Sequence, residues 1–482
     1  MKFKFFCCNA VILVFMLNGF AFGQAAPIQW QNCLGGSNAD IAFSMVATID
    51  GGCIVGGYTQ SSDGNITGYH GNRDIWITKL NSSGALQWQE CIGTGHTETD
   101  FSISQTADNG YIIAGFVTVL DSTYIVSKKY FIVKTDDTGG IQWERTYGGI
   151  YYSSIAASIQ QTFDGGYIVA GVSSCYDGDV MCGTWDSLAL YNNPWILKLN
   201  DTGGIAWQVC IDDTTISDNV DAIRQTSDSG YILVGNFRNG DLIKFSANGS
   251  VQWEKNLNLY NADVRQTFDG GYILTGSNKI EKITDTGGVV WIKVIGDSSI
   301  DYTSSVWQTA DSGYIVCGQT SDTALAGYHG GGDVWVVKSD AEGNVQWQNS
   351  LGSSDADYGI AVQQALDGNY VVACITNSDD GDVTGYHGMG DYWVVNLGSP
   401  ASVNSLARKP AIMVIPNPTT GDIYIKGAGL INIKVYNTLG NLVRAADNTD
   451  NISISGFPPG TYFVTLSDNN GVVVYRNKLV KQ

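Results

Sequence analysis

One short pattern returns seven times along this chain, and it limits the possible folds more than any other feature. Its copies begin Asp50-Gly-Gly-Cys-Ile-Val, Asp108-Asn-Gly-Tyr-Ile-Ile, Asp164-Gly-Gly-Tyr-Ile-Val, Asp228-Ser-Gly-Tyr-Ile-Leu, Asp269-Gly-Gly-Tyr-Ile-Leu, Asp311-Ser-Gly-Tyr-Ile-Val and Asp367-Gly-Asn-Tyr-Val-Val. A second anchor, a Gly turn followed by an apolar-Gln-Trp-like unit, ends in Trp30, Trp88, Trp143, Trp207, Trp253, Trp291 and Trp347. From Trp30 to Trp347 is 317 residues in six steps, about 53 per unit. A period of that size with strand-like content is the mark of propeller blades.

Each unit reads as four short strands joined by Gly turns. In the fourth copy the strands are 221–226, 231–235, 241–245 and 251–253, with Asp228-Ser-Gly as a hairpin turn. The 59 glycines are then accounted for by turns that need positive φ. The seventh copy has a third strand, 391–397, but no fourth, while the chain after its first residues opens with a lone fourth strand, Ile28-Gln29-Trp30. Pairing the two completes the last blade and leaves no open sheet edge. The expectation is an all-β chain: a seven-bladed β-propeller over 28–397, followed by a small immunoglobulin-like sandwich.

The units resemble the propeller-type repeats of secreted proteins from Bacteroidetes-like bacteria. The turn before the Trp, as in Asn200-Asp-Thr-Gly-Gly-Ile-Ala-Trp207 and Thr284-Asp-Thr-Gly-Gly-Val-Val-Trp291, also looks like the tryptophan-docking motif of quinoprotein propellers. That motif is structural in its own family, so the resemblance implies packing between blades, not quinone binding.

Lys2 and Lys4, an apolar run from Phe5 to Leu17 and small residues at Ala21, Gly23, Ala25 and Ala26 read as an export signal over 1–24. Cys33, Cys53, Cys91, Cys210, Cys317 and Cys374 fall at repeat positions and read as small buried apolar residues. Cys175 and Cys182 flank a polar stretch of one long loop and are the disulfide candidates. Residues 401–482 carry 8 Lys+Arg and 4 Asp+Glu, which leaves 18 against 42, a net −24, for residues 1–400. So acidic a domain repels phosphate backbones and excludes a nucleic-acid partner; cations or neutral sugars suit it better.

Composition shifts at a linker, 398–410, and six of the eight Pro residues lie at or beyond position 400. Residues 411–482 then alternate as strands at 422–426, 431–436, 441–444, 451–455, 461–467 and 472–479. Four ordered motifs here resemble the type A sorting domain of the type IX (Por) secretion system. They are Val414-Ile-Pro-Asn-Pro-Thr-Thr-Gly421 (with Pro416, Asn417 and Pro418), Ile433 to Leu442 (with Tyr436 and Gly440), Ile454 to Phe463 (with Pro459, Gly460 and Tyr462) and the ending Lys478-Leu479-Val480-Lys-Gln. The resemblance implies a secreted or surface-attached protein, and as partners the type IX machinery and a sortase-like peptidase that removes the domain.

Loops 59–73, 116–129, 172–194, 319–332 and 375–390 all join second to third strands, so loop length gathers on one propeller face, the expected place for binding. Three of the four His lie there in Gly-Tyr-His-Gly, as His70, His329 and His387, with Asp74, Asp333 and Asp391 four residues on. Three imidazoles could bind a metal, but each sits at the same place of its own repeat, which favours a loop-stabilising role beside the local Asp. Asp-Gly-Asp at 177–179 and 380–382 carries oxygen ligands of the kind calcium takes, and turn chemistry alone also explains it. No cofactor beyond that calcium is expected. Neither a Gly-x-Ser-x-Gly elbow nor a HExxH helix is present. The reading is a ligand-binding or adhesion module for a glycan or protein, working as a monomer; the alternative is a glycan-cleaving hydrolase with paired carboxylates on the long-loop face.

Overall fold

The computed structural model describes residues 25–120, 126–150, 152–181, 192–211, 218–236, 242–257, 263–297, 301–399, 413–415, 419, 421–426, 431–437, 442–458, 460–467 and 473–481. The expected export signal lies outside them, as does nearly all of the linker. The chain divides into two units, Met1–Pro400 and Ala401–Gln482.

The first unit is seven four-stranded antiparallel sheets. Blade 1 is β2 (Asp40–Ala47), β3 (Cys53–Thr59), β4 (Asp74–Leu80) and β5 (Leu86–Ile92). Blades 2 to 6 repeat this order from β6 (Glu98–Gln105) to β25 (Val345–Leu351). Blade 7 is β26 (Tyr358–Gln364), β27 (Tyr370–Thr376) and β28 (Asp391–Leu397), completed by β1 (Ile28–Leu34). β1 lies antiparallel to β28 with Cys33 opposite Trp393 and Trp30 opposite Asn396. The first strand of each blade packs on that of the next, and β26 packs on β2, so the ring closes.

The repeated residues are joints of this ring. Each Asp-Gly-Gly-like segment is a tight hairpin whose third turn residue has positive φ, Gly51 at 84° and Ser312 at 68° among them. In six blades the hairpin Asp accepts from the Thr two residues before it and from a buried Lys on the third strand. Lys79–Asp50 and Lys338–Asp311 are 2.8 and 2.9 Å examples. Burial alone would raise the Asp311 carboxyl; bonds from Thr309 and Lys338 outweigh it and hold the group below its ordinary range. The Gly after the turn makes room for that Lys: a Cβ on Gly313 would lie 2.3 Å from Ser339 O and 2.5 Å from Lys338 Nζ.

Between blades, the repeated Trp is roofed by the next blade's turn. A Cβ on Gly84 would meet the Trp30 ring at 2.4 Å, and one on Gly139 the Trp88 ring at 2.9 Å. In blades 2 to 7 the Gln closing the first strand reaches back to cap the preceding hairpin. Gln105 thus accepts from Ile49 N, Gln161 from Ala107 N, Gln308 from Phe268 N and Gln364 from Ala310 N. The Trp, Asp and Gln sets are therefore structural.

One expected loop is a correction. Residues 116–120 and 126–129 are strand, in β7 (Tyr111–Leu120) and β8 (Val126–Thr135), with pairing as far as Leu120 opposite Val126. The apolar, β-branched run Phe-Val-Thr-Val-Leu suits a ladder better than a loop.

The second unit has one sheet of β29 (Met413–Ile415), β30 (Asp422–Lys426) and β33 (Asn451–Ser453), and one in the order β32 (Leu442–Thr449), β31 (Ile431–Asn437), β34 (Gly460–Ser467) and β35 (Val473–Lys481). Its core holds Ile423, Ile433, Val435, Ile452, Val464, Leu466 and Leu479.

Candidate functional site

The long-loop face is built from the connections between second and third strands and those between consecutive blades. Its Asp-Gly-(Asp/Asn) loops clasp the neighbouring blade. In blade 1 Asp63 accepts from Ser37 N and Asn65 from Gly35 N; in blade 3 Asp177 accepts from Ile150 N and Asp179 from Gly148 N. In blade 7 Asp380 accepts from Ser354 N and Asp382 from Gly352 N. Carboxylates committed to amide donors are turn chemistry, which accounts for the Asp-Gly-Asp segments without an ion.

The three His occupy equivalent places. His70, His329 and His387 hold Asp74, Asp333 and Asp391 through Nδ1 at 2.9, 3.3 and 2.7 Å, and each backbone N donates to the same carboxylate. The Asp side chains are fully buried while the rings are 47%, 28% and 32% exposed. Among the described residues no metal-capable group contains two of these His; the group that exists is Cys33, His387 and Asp391, with ligand atoms within 4.8 Å of one another. Burial, then the charge of Asp391, push the Cys33 thiol far above its ordinary value. It therefore stays protonated and donates to Asp391 at 3.4 Å, the same bond that Ser350 makes to Asp333 at 3.0 Å. A position that takes Cys or Ser interchangeably holds a hydrogen-bond donor, not a thiolate ligand.

Beside each of these Asp stands a second buried carboxylate from the next blade. A Cβ on Gly35 would lie 2.3 Å from Asp391 Oδ1 and 2.9 Å from Asp40 Oδ2; Gly352 stands likewise between Asp357 and Asp333. Burial first, then Asp391, raise Asp40 to about 6 even though Thr59, Gly36 N and Ser61 donate to it. Asp357, Glu98 and Asp391 are also raised, chiefly by burial.

Sequence reasoning missed an aromatic ladder at the loop-face end of blades 1 and 2. Tyr58, Phe43, Phe101 and Phe116 run ring to ring at 5.9, 5.0 and 6.0 Å. The Arg73 guanidinium covers Tyr58 at 3.8 Å, and Lys128 Nζ covers Phe116 at 4.3 Å. Tyr58, Phe43 and Phe101 are partly exposed. Phe43 and Phe101 are each the extra residue of a bulge, between Ala42 and Ser44 and between Asp100 and Ser102, a device that re-aims a side chain.

The disulfide candidate is overturned. Cys175 is a free, buried thiol 3.4 Å from Ser154 Oγ, while Cys182 lies outside the described residues. Cys210, read as a buried apolar residue, is instead disulfide-bonded, to a partner outside the described residues.

In the second unit, Leu479 is buried opposite Tyr462, whose hydroxyl donates to Pro458 O at 2.9 Å, and Val480 O accepts from Thr419 N. Gly421 O accepts from Ile454 N, Tyr436 lies in β31 and Gly460 and Lys478 in β34 and β35. Pro416, Asn417, Pro418, Gly440 and Pro459 lie outside the described residues.

Residues 413–482 match the secretion system C-terminal sorting domain, and residues 193–399 match the PQQ-type repeat model described as outer membrane protein assembly factor BamB. No curated protein matches the chain. Similar solved structures include a protein of unknown function from Bacteroides caccae, at 13% identity over 57% of this chain and 89% of that one, TM-score 0.39. Another is Sqt1 from Chaetomium thermophilum, at 11% identity over 77% and 100%, TM-score 0.41. The chain is thus an all-β propeller repeat protein whose residues 413–482 match the C-terminal sorting domain of the Por, or type IX, secretion system.

Proposed function

We propose that the propeller is the glycan-binding passenger of this exported surface protein and that the ligand lies on the long-loop face, over the ladder of Tyr58, Phe43, Phe101 and Phe116. The ladder carries the reading. The partly exposed rings of Tyr58, Phe43 and Phe101, backed by the buried Phe116, offer flat apolar area on a rigid sheet to the C–H faces of a sugar, with Arg73 and Lys128 as polar handles at either end. In a unit of net charge −24, two cations at one end of the face also admit acidic sugars. Binding is favoured over hydrolysis because Asp40, Glu98, Asp357 and Asp391, four of the carboxylates with raised pKa, are buried between blades, while the partly exposed Asp382 accepts from Gly352 N beside His329 and Glu90 stands on the outer strand β5. The sorting domain would be cut away by a sortase-like peptidase.

A polysaccharide array with analysis of reducing ends tests this. Retention without cleavage, lost by about tenfold or more in Phe101→Ala, is the expected result. New reducing ends would establish the hydrolase instead, and retention unchanged in Phe43→Ala and Phe101→Ala would remove the ladder from the site.

A further inference from the structure

The propeller axis carries a second place with its own chemistry. The residue just before the closing Gln of each first strand, and Val46 and Gln363 at the seam, form one layer around the axis: Val46, Ser104, Gln160, Arg224, Arg265, Trp307 and Gln363. Its neighbours along the strands repeat from blade to blade, yet this position carries five residue types in seven blades. Six of these residues line an axial cavity of about 80 Å³, together with Ser44 and Ser102, and no carboxylate lines it among the described residues.

The polar groups of the layer are set as donors. Gln160 Oε1 accepts from Gln225 N and Gln363 Oε1 from Ala47 N, both at 2.9 Å, which leaves the NH₂ end of each amide to the cavity. Arg265 is held by Nε to Asp263 Oδ2 at 3.3 Å and lies over the Trp307 ring at 5.1 Å, and no described residue meets its two terminal nitrogens. Arg224 bonds Ser158 Oγ, Ile223 O and Asp263 Oδ1, and its buried Nε has no partner. Asp263, 5% exposed, is spent on both guanidiniums and on Val264 N and Val306 N. Two guanidiniums against one carboxylate leave a net positive charge inside a strongly acidic domain, walled by N–H donors.

We propose that this axial cavity binds a small oxyanion, a carboxylate or phosphate group, between Arg265 and the amides of Gln160 and Gln363. A preorganised guanidinium with both terminal nitrogens open is suited to oxyanions, and the cavity limits the bound part to about the size of acetate or phosphate. The site is independent of the loop-face ladder.

The test is calorimetric titration of the exported full-length protein with acetate, phosphate and sulfate, with chloride as the size control and trigalacturonate as a carboxylate on a glycan. Saturable binding of at least one oxyanion is expected, with a matching rise in Tm. Gln160→Glu keeps an acceptor for Gln225 N but places a negative charge in the cavity; it and Arg265→Gln should each weaken binding about ten- to a hundredfold. Lys293→Gln, on the outer strand β21 (Val289–Val294), should leave it unchanged. Trigalacturonate binding tighter than acetate and weakened by Arg265→Gln would assign the oxyanion to a glycan, and weaker binding, or binding indifferent to Arg265→Gln, to a free anion. No saturable binding by the unaltered protein, or undiminished binding in Gln160→Glu, overturns the proposal.

Discussion

Asn369 and Asn396 show how two positions 27 residues apart are read as one. In six blades a Gly follows the hairpin turn and a buried Lys on the third strand lies beneath it, with Lys Nζ 2.4 to 2.8 Å from where the Gly Cβ would stand. Blade 7 alone has Asn396 for the Lys and Asn369 for the Gly. Asn369 bonds Asp367 at 2.8 Å while Asn396 Oδ1 is buried without a partner. Lys at 396 would collide with the Asn369 side chain, and Gly at 369 would remove the obstacle. Asn396→Lys alone should therefore destabilise the protein by about 1–3 kcal/mol, Asn369→Gly alone by less than about 1 kcal/mol. The double variant should be more stable than the sum by about 1–3 kcal/mol. Additive values in chemical denaturation would mean that the turn and the strand do not sense each other.

At the scale of elements, the blade junctions under the long loops enclose paired carboxylates, and these set a pH dependence. Asp40 rises to about 6 in the fold from an ordinary 3.8. Between those values the folded chain binds more protons than the unfolded one, so stability falls as pH rises from about 4 to 6 and is flat above. For Asp40 alone the change is on the order of 3 kcal/mol, and Asp357, Glu98 and Asp391 act in the same direction. Tm should therefore climb by several degrees as pH is lowered from 7 to 5, and Asp40→Asn should flatten part of that slope. A Tm constant or falling over this interval would contradict the burial of these pairs. None of this was readable beforehand, because Asp40 and Asp391 are 351 residues apart and meet only when the ring closes. The hairpins and Trp units were readable because one local solution recurs seven times. The ladder was not, since a bulge shifts Phe43 and Phe101 out of the period-two pattern by which an exposed ring is recognised. Cys210 looked like Cys33 and Cys91 because all three follow a Trp by three residues, and spacing along a strand says nothing about a partner in another segment.

The whole molecule depends on its closing strand. β28 is the third strand of blade 7, and without β1 its backbone groups from Asp391 to Leu397 would form an exposed, strongly apolar edge. β1 supplies more than the ladder: Gln31 Oε1 accepts the Trp393 indole N–H at 2.7 Å, as Gln89 does for Trp76, and Ala26 exchanges two bonds with the buried Asn349 side chain. The seam is also the one junction where the Gln relay is broken. Ala47 stands in place of the Gln, and Gln363 of blade 7 caps Ala47 N from the other side. Blade 7 is thus held by a strand distant in sequence and by a relay running in reverse, so it should open first. A chain beginning after Leu34 should self-associate through the bared edge and lose more than about 4 kcal/mol of stability, whereas Gln31→Ala should cost about 1–3 kcal/mol, the price of a buried indole N–H without an acceptor. Size-exclusion chromatography and hydrogen exchange would check both: β26 to β28 should exchange faster than the other blades in Gln31→Ala, while Gln89→Ala should loosen blade 1 alone. Equal protection of all seven blades in Gln31→Ala, or an unchanged elution volume after removal of β1, would mean that ring closure does not rest on this strand.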